Sequence, residues 1–282
     1  MGVQTIGVVG AGQMGAGIAQ VSATSGYQVL LWDAVSEAGD KAVRSIHGHL
    51  AKMVEKEKIT ASQRDEAVKR LVHVPKLSEF SRCDLVIEAV TENPEVKLNL
   101  FRELDGIVPP SAFLASNTSS ISITKIAGST KRPEKVVGMH FMNPVPLMKL
   151  VELIRGLQTS DETFQSIKAI VEKMGKTPVA AKDSAGFTVN RILCPMINEA
   201  IYLLQEGTAP KDIDDGMVLG TNHPMGPLAL ADLVGLDTLL FILQVLHREL
   251  GEDKYRPCPL LVKYVEAGWL GRKTKRGFYK YD

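Results

Sequence analysis

The chain has 282 residues, enough for two domains that each bury a sizeable core. Its 33 Lys and Arg against 32 Asp and Glu leave a net charge of +1, which gives no general electrostatic reason to expect a nucleic acid or an anionic membrane as partner. Cys83, Cys194 and Cys258 are odd in number, far apart and in no CxxC arrangement, so they point to free thiols in a reducing, cytoplasmic setting and away from a disulfide framework or a zinc site. The most apolar stretch, Leu228 to Leu246, is interrupted by Asp232 and Asp237 and reads as a core helix rather than a membrane span. The first predicted strand begins at Val3, which leaves no room for a signal or transit peptide on this form of the chain.

The chain opens with a short apolar run, Val3 to Val9, that leads into Gly10-Ala11-Gly12-Gln13-Met14-Gly15. A helical pattern follows and ends at Gly26, and a second apolar run, Val29 to Trp32, stops at Asp33. Strand, glycine turn, helix, strand, acid is the order of a dinucleotide-binding unit. Gly10 permits the sharp turn, Gly12 lets backbone approach a pyrophosphate, and Gly15 lets the helix pack on the strand. The helix amino terminus offers N–H groups and a positive dipole end to phosphates. Asp33 follows Gly10 by 23 residues, where a carboxylate can accept from a ribose diol. The alternative is an ordinary glycine turn in another α/β fold.

Ser36 to about Arg70 is charge-rich and helical in pattern, with a break and a new cap near Ile59-Thr60-Ala61-Ser62. It reads as a polar helical hairpin inserted after the second strand; a solvated surface helix pair fits the same pattern. Cys83 to Val90, Phe113 to Ser116 and Val136 to Phe141 are the next strands, with helices at about Glu95 to Leu104 and Ile123 to Ala127. Polar clusters follow each strand: Thr91-Glu92-Asn93, then Asn117-Thr118-Ser119-Ser120, then the stretch after His140. In doubly wound sheets ligands sit beyond such carboxyl ends. Asn143-Pro144-Val145-Pro146 turns the chain into a strand from Lys149 to Ile154, followed by a helix at Asp161 to Met174 and an apolar segment at Pro178 to Ala181. Beyond a boundary near Ser184 the pattern is almost wholly helical, with helices at Phe187 to Gln205, Lys211 to Leu219, Ala229 to Gly251 and Pro259 to Ala267. The predicted fold is α/β: a Rossmann-like dinucleotide-binding domain over 1–184, then an all-helical C-terminal domain over 185–282.

His140 is the candidate acid/base, because an imidazole titrates near working pH. A histidine in an apolar strand also suits a structural role. Glu152 is a carboxylate in an otherwise apolar strand, costly unless it has a partner. The two are equally spaced about Pro146, so a chain reversal there lets them face each other. A carboxylate beside an imidazole fixes its tautomer and compensates the imidazolium charge. Ser119 can bind a substrate oxygen or cap a helix. Asn190 does not stand out by itself. His223 sits in a proline- and glycine-rich loop where a structural bond is expected, and His47 and His49 have no acid or cysteine set around them, so no metal site is read.

These motifs resemble those of the L-3-hydroxyacyl-CoA dehydrogenases, in particular the short bacterial 3-hydroxybutyryl-CoA branch. The resemblance covers essentially the whole chain and rests on Gly10–Gly15, Thr91–Asn93, Ala115–Ser120, Gly138–Pro146, Leu150–Glu152, Gly186–Arg191, His223–Pro227 and Gly277–Tyr279. It implies NAD as cofactor, an acyl-CoA substrate and a homodimer formed through the helical domain. His140 would be the general base with Glu152 its partner, and Ser119 and Asn190 would hold substrate oxygens. Asp33 would bind the adenosine ribose, with Glu92, Lys97, Ser119, Asn143 and Lys273 completing the NAD site. Ser45 and Lys52 of the hairpin would meet the CoA portion. Two rivals are a Rossmann dehydrogenase of a free 3-hydroxy acid and a non-catalytic NAD-binding protein.

Overall fold

The structure is a computed structural model that describes residues 2–282. It divides into two compact units, Met1–Asp183 and Ser184–Asp282.

The first unit is built on one eight-stranded sheet. In chain order its elements are β1 (Thr5–Val9), α1 (Gln13–Thr24), β2 (Gln28–Trp32), α2 (Ser36–Glu55), α3 (Ala61–Arg70), β3 (Leu71–His73) and β4 (Leu85–Glu88). Then come α4 (Pro94–Ile107), β5 (Phe113–Ser116), α5 (Ile123–Ala127), β6 (Val136–Phe141), β7 (Leu150–Arg155), α6 (Asp161–Lys173) and β8 (Thr177–Lys182). The strand order is β3-β2-β1-β4-β5-β6-β7-β8. The first six run parallel; β7 is antiparallel to β6, and β8 is parallel to β7. Central strands buried on both faces need continuous apolar runs, and β4 and β6 are buried throughout. The carboxyl ends of β1, β4, β5 and β6, and the amino end of β7, therefore lie along one edge of the sheet.

The hairpin is two helices, as the charge pattern predicts. A capping box at its break closes α3: Gln63 N–H donates to Thr60 Oγ1, and Thr60 N–H donates to Gln63 Oε1. Its inner face is not solvated, because Ala42, Ile46, Leu50 and Ala67 are buried in the core of this unit. The sequence reading missed β3, a three-residue edge strand too short to show a periodicity.

The second unit holds α7 (Val189–Gln205), α8 (Pro210–Thr221), α9 (Pro227–Val234), α10 (Leu236–Leu250) and α11 (Pro259–Glu266). The helix expected over Ala229 to Gly251 is two helices bent by 98° at Gly235. Gly235 takes φ +103°, a backbone region closed to most side chains, so the helix cannot run through it. Among the described residues no single helix is long and apolar enough to cross a membrane. Two buried carboxylates tie this unit together. Asp232 accepts from Phe278 N–H, Tyr279 N–H and the Tyr281 hydroxyl. Asp214 accepts from Leu228 N–H, Ala229 N–H and the Tyr279 hydroxyl. A Cβ at Gly277 would strike the Asp232 carboxylate, which explains glycine at the start of Gly277-Phe278-Tyr279.

Candidate active site

The glycine turn joins β1 to α1. Gly10 has φ +99°, and a Cβ there would lie 2.6 Å from the Ala89 carbonyl oxygen. A Cβ on Gly15 would collide with the Gly10 carbonyl, so this glycine is what lets α1 sit against β1. Gly12 differs, since a Cβ there would meet nothing within 4 Å. It is the N-cap of α1 and no side chain caps that helix. Open space above an uncapped helix amino terminus fits a pyrophosphate. Asp33, just past β2, accepts from Ala11 N–H at 2.6 Å and Val35 N–H at 2.9 Å. It thus braces the glycine turn from the place where a ribose diol is expected. Gln13 Nε2 donates to Asn143 Oδ1 at 3.1 Å, which links the start of α1 to the turn after β6.

That turn carries the chain from β6 into β7. Antiparallel register places His140 directly opposite Glu152. His140 Nδ1 lies 2.8 Å from Glu152 Oε2, and the Glu152 side chain is fully buried. With Nδ1 donating to the carboxylate, the neutral ring carries its lone pair on Nε2. Lys176 Nζ donates to the carbonyls of Val145 and Met148 at 2.5 and 2.7 Å, and so fastens the same turn. Burial, with Lys149 nearby, pushes the Lys176 ammonium below the ordinary lysine range.

The Asn117–Ser120 stretch lies beside His140. Ser116 pairs with Gly138 in register, and Phe141 N–H donates to Asn117 Oδ1 at 2.8 Å. Glu92 organises this turn. Its Oε1 accepts from Thr118 Oγ1, Ser119 N–H, Ser120 N–H and Ser120 Oγ at 2.5, 2.9, 3.1 and 2.9 Å. Burial alone would raise the Glu92 carboxyl. The Lys97 ammonium and the donors from Thr118, Ser120 and Ser119 outweigh it and hold the group below the usual carboxylate range. Lys97, 1% exposed, reaches Glu92 Oε2 at 3.3 Å and Glu88 Oε1 at 2.5 Å.

Sequence reasoning missed Glu88, although the signal was present. It is a carboxylate at the end of an apolar strand, the same anomaly that marks Glu152. Val90 N–H and Ser116 Oγ also donate to it, at 2.7 and 2.6 Å. Asp183 was missed as well; it accepts from Ser122 Oγ, Ile123 N–H and Thr124 N–H and anchors the start of α5.

The structure therefore gathers Gly10, Ala11, Gly12, Gln13, Met14, Gly15, Asp33, Glu92, Lys97, Ser119, His140, Asn143 and Glu152 along one edge of the first unit's sheet. Ser45 and Lys52 stand apart from this cluster, exposed on α2. Asn190 and Lys273 belong to the second unit. Asn190 is half-buried in the first turn of α7, and Lys273 Nζ contacts both Asp237 oxygens at 2.6 Å. His223 is half-buried in the loop before α9, and His47 Nε2 is buried without a hydrogen-bond partner. Among the described residues no cluster of His, Cys, Asp and Glu could hold a metal ion.

Similarity to known proteins extends along the whole chain. The chain is 55% identical to a 3-hydroxybutyryl-CoA dehydrogenase of Bradyrhizobium diazoefficiens, over 99% of this chain and 96% of that protein. It is 43% identical to the human mitochondrial hydroxyacyl-coenzyme A dehydrogenase, over 99% and 91% of the two chains. The crystal structure of (S)-3-hydroxybutyryl-CoA dehydrogenase from Ralstonia eutropha superposes with a TM-score of 0.96 at 50% identity, covering 99% of each chain. Residues 5–184 match the 3-hydroxyacyl-CoA dehydrogenase NAD binding domain and residues 186–281 match the C-terminal domain of the same family. The chain belongs to the 3-hydroxyacyl-CoA dehydrogenase family of NAD-dependent oxidoreductases.

Proposed function

We propose that this chain interconverts (S)-3-hydroxybutyryl-CoA and acetoacetyl-CoA, with His140 as acid/base and Glu152 as its charge partner. The observation that carries this reading is the buried His140–Glu152 pair, set in strand register beside the Ser119 turn. His140 Nε2 takes the hydroxyl proton during oxidation and returns it during reduction. Glu152 holds the ring's tautomer and compensates the imidazolium charge. Ser119 and Asn190 hold the substrate's oxygens, and Ser45 and Lys52 receive its CoA portion. The bound NAD supplies hydride acceptance and donation; the protein supplies position and electrostatics. Gly10 to Gly15, Asp33, Glu92, Lys97, Asn143 and Lys273 are the residues that would hold it. The open space over Gly12 and the uncapped start of α1 fit the dinucleotide. The relatives' names support the short acyl chain, and the second unit is the dimerisation element in this reading.

The test is NADH consumption with acetoacetyl-CoA compared with free acetoacetate. Turnover of the thioester with little or none of the free acid is expected; the reverse preference refutes the reading. Asp33 carries a carboxylate where a 2′-phosphate would meet like charge, so NAD is preferred over NADP. Equal efficiency with NADP in steady-state kinetics would remove that role from Asp33.

A further inference from the structure

The buried network behind Ser119 has an electrostatic consequence for the cofactor. Every hydrogen bond to Glu88 comes from a donor: Val90 N–H, Lys97 Nζ and Ser116 Oγ. Glu92 likewise accepts from Thr118, Ser119 and Ser120 and faces Lys97. Glu88 Oε1 accepts from two groups that can only donate, the Lys97 ammonium and Val90 N–H, and Glu92 Oε1 accepts from two backbone N–H groups, which is the setting of an ionised carboxylate. The cluster therefore holds two negative charges and one positive. Glu88 and Lys97 are 0% and 1% exposed and the Glu92 side chain 24%, so water screens the cluster only in part. Ser119 N–H is 2.9 Å from Glu92 Oε1. A hydride acceptor must lie against the substrate carbon that Ser119 and His140 hold. The nicotinamide ring is the part of NAD whose charge changes in the reaction: it is cationic when oxidised and neutral when reduced.

We propose that the Glu88–Lys97–Glu92 cluster, with one net negative charge, selects the oxidation state of the cofactor, and that Glu88 is the residue that sets its sign. This rests on the functional reading above. Glu88 touches neither substrate nor cofactor and acts by charge. Lys97 cancels one of the two carboxylates, and the remaining charge favours the cationic ring over the neutral one. A purely structural Glu88, needed only to hold β4 against β5, would affect both forms of the cofactor alike.

The experiment measures dissociation constants of NAD+ and NADH separately for the full chain, by calorimetry and by NADH fluorescence. Glu88→Gln removes the negative charge while its amide oxygen can still accept from Val90 and Lys97. It should weaken NAD+ on the order of tenfold and NADH by less than about twofold, the scale expected of one incompletely screened unit charge. Lys97→Met makes the cluster more negative and should move the ratio of the two constants the opposite way. If one variant does not fold, the other decides. Equal changes in both constants, an unmoved ratio, or shifts of the same sign in the two variants would overturn the inference. A wild-type protein that binds neither form would overturn the functional reading, and this inference with it.

Discussion

At the residue scale, Glu88 and Glu152 set the same physical problem: a carboxylate on an apolar strand must find a partner or pay for desolvation. For Glu152 the answer lies twelve residues away, across one reversal, and symmetry about Pro146 locates it. The expected outcome of His140→Gln is a loss of roughly two to four orders of magnitude in turnover with cofactor binding retained. Glu152→Gln should also lose turnover, since an amide cannot compensate an imidazolium; near-normal rates across pH would make the pair structural. For Glu88 the partner is Lys97 on α4, and nothing in a linear pattern shows which face of that helix turns back onto β4. That is why one acid of this type was legible in the sequence and the other was not. Glu92 gives a pH prediction. Its carboxyl is lowered in the folded state, so the stability it contributes is fully present above the ordinary carboxylate range, near pH 4 and up. It fades as pH falls through the lower folded value. Denaturant midpoints of wild type and Glu92→Gln should therefore differ at neutral pH and converge in acid. A constant gap would show that the ionised carboxylate contributes nothing.

Among the elements, the parallel strands and the glycine turn could be read because each has a strong local signature: continuous apolar runs, and glycines that backbone geometry demands. The break between α9 and α10 was hidden by the same logic, since the apolar period continues through Gly235 and only its positive φ ends the helix. The α2–α3 hairpin has a polar sequence pattern, yet one face is core, and that face fixes which residues look outward. Ile46 and Leu50 turn inward, while Ser45 and Lys52, seven residues or about two turns apart, share an exposed side. Lys52 has no ion-pair partner among the described residues. Ser45→Ala and Lys52→Ala should raise the Michaelis constant for acetoacetyl-CoA several-fold and leave that for NADH unchanged. An exposed lysine–phosphate contact contributes only about 1 kcal/mol and weakens with salt. Acetoacetyl-pantetheine lacks the nucleotide and should be indifferent to Lys52→Ala; an equal effect on both substrates removes the hairpin from CoA binding.

For the whole molecule, large apolar side chains remain exposed on both units. On the first they include Leu147, Leu157 and Val179. The second is built mainly of helices, and its exposed apolar residues lie on them. Its core takes in Ile197, Ile201, Leu228, Leu239, Leu243 and Leu246. Yet Ile192 is 67% exposed, Leu219 83% and Phe241 40%, on α7, α8 and α10. Ile192 and Leu203 lie eleven residues apart on α7, about three turns, and so on one stripe. We predict that these exposed apolar side chains form a surface that another chain covers. A second copy is the occupant expected here, because a twofold interface needs only a self-complementary patch. Light scattering at micromolar concentration should give twice the 30.7 kDa chain mass. Ile192→Glu combined with Phe241→Glu should shift the protein to monomer, because each would bury a charge without a partner. Wild-type protein that scatters as a monomer, or a double variant that stays dimeric, would place the assembly surface elsewhere or remove it altogether.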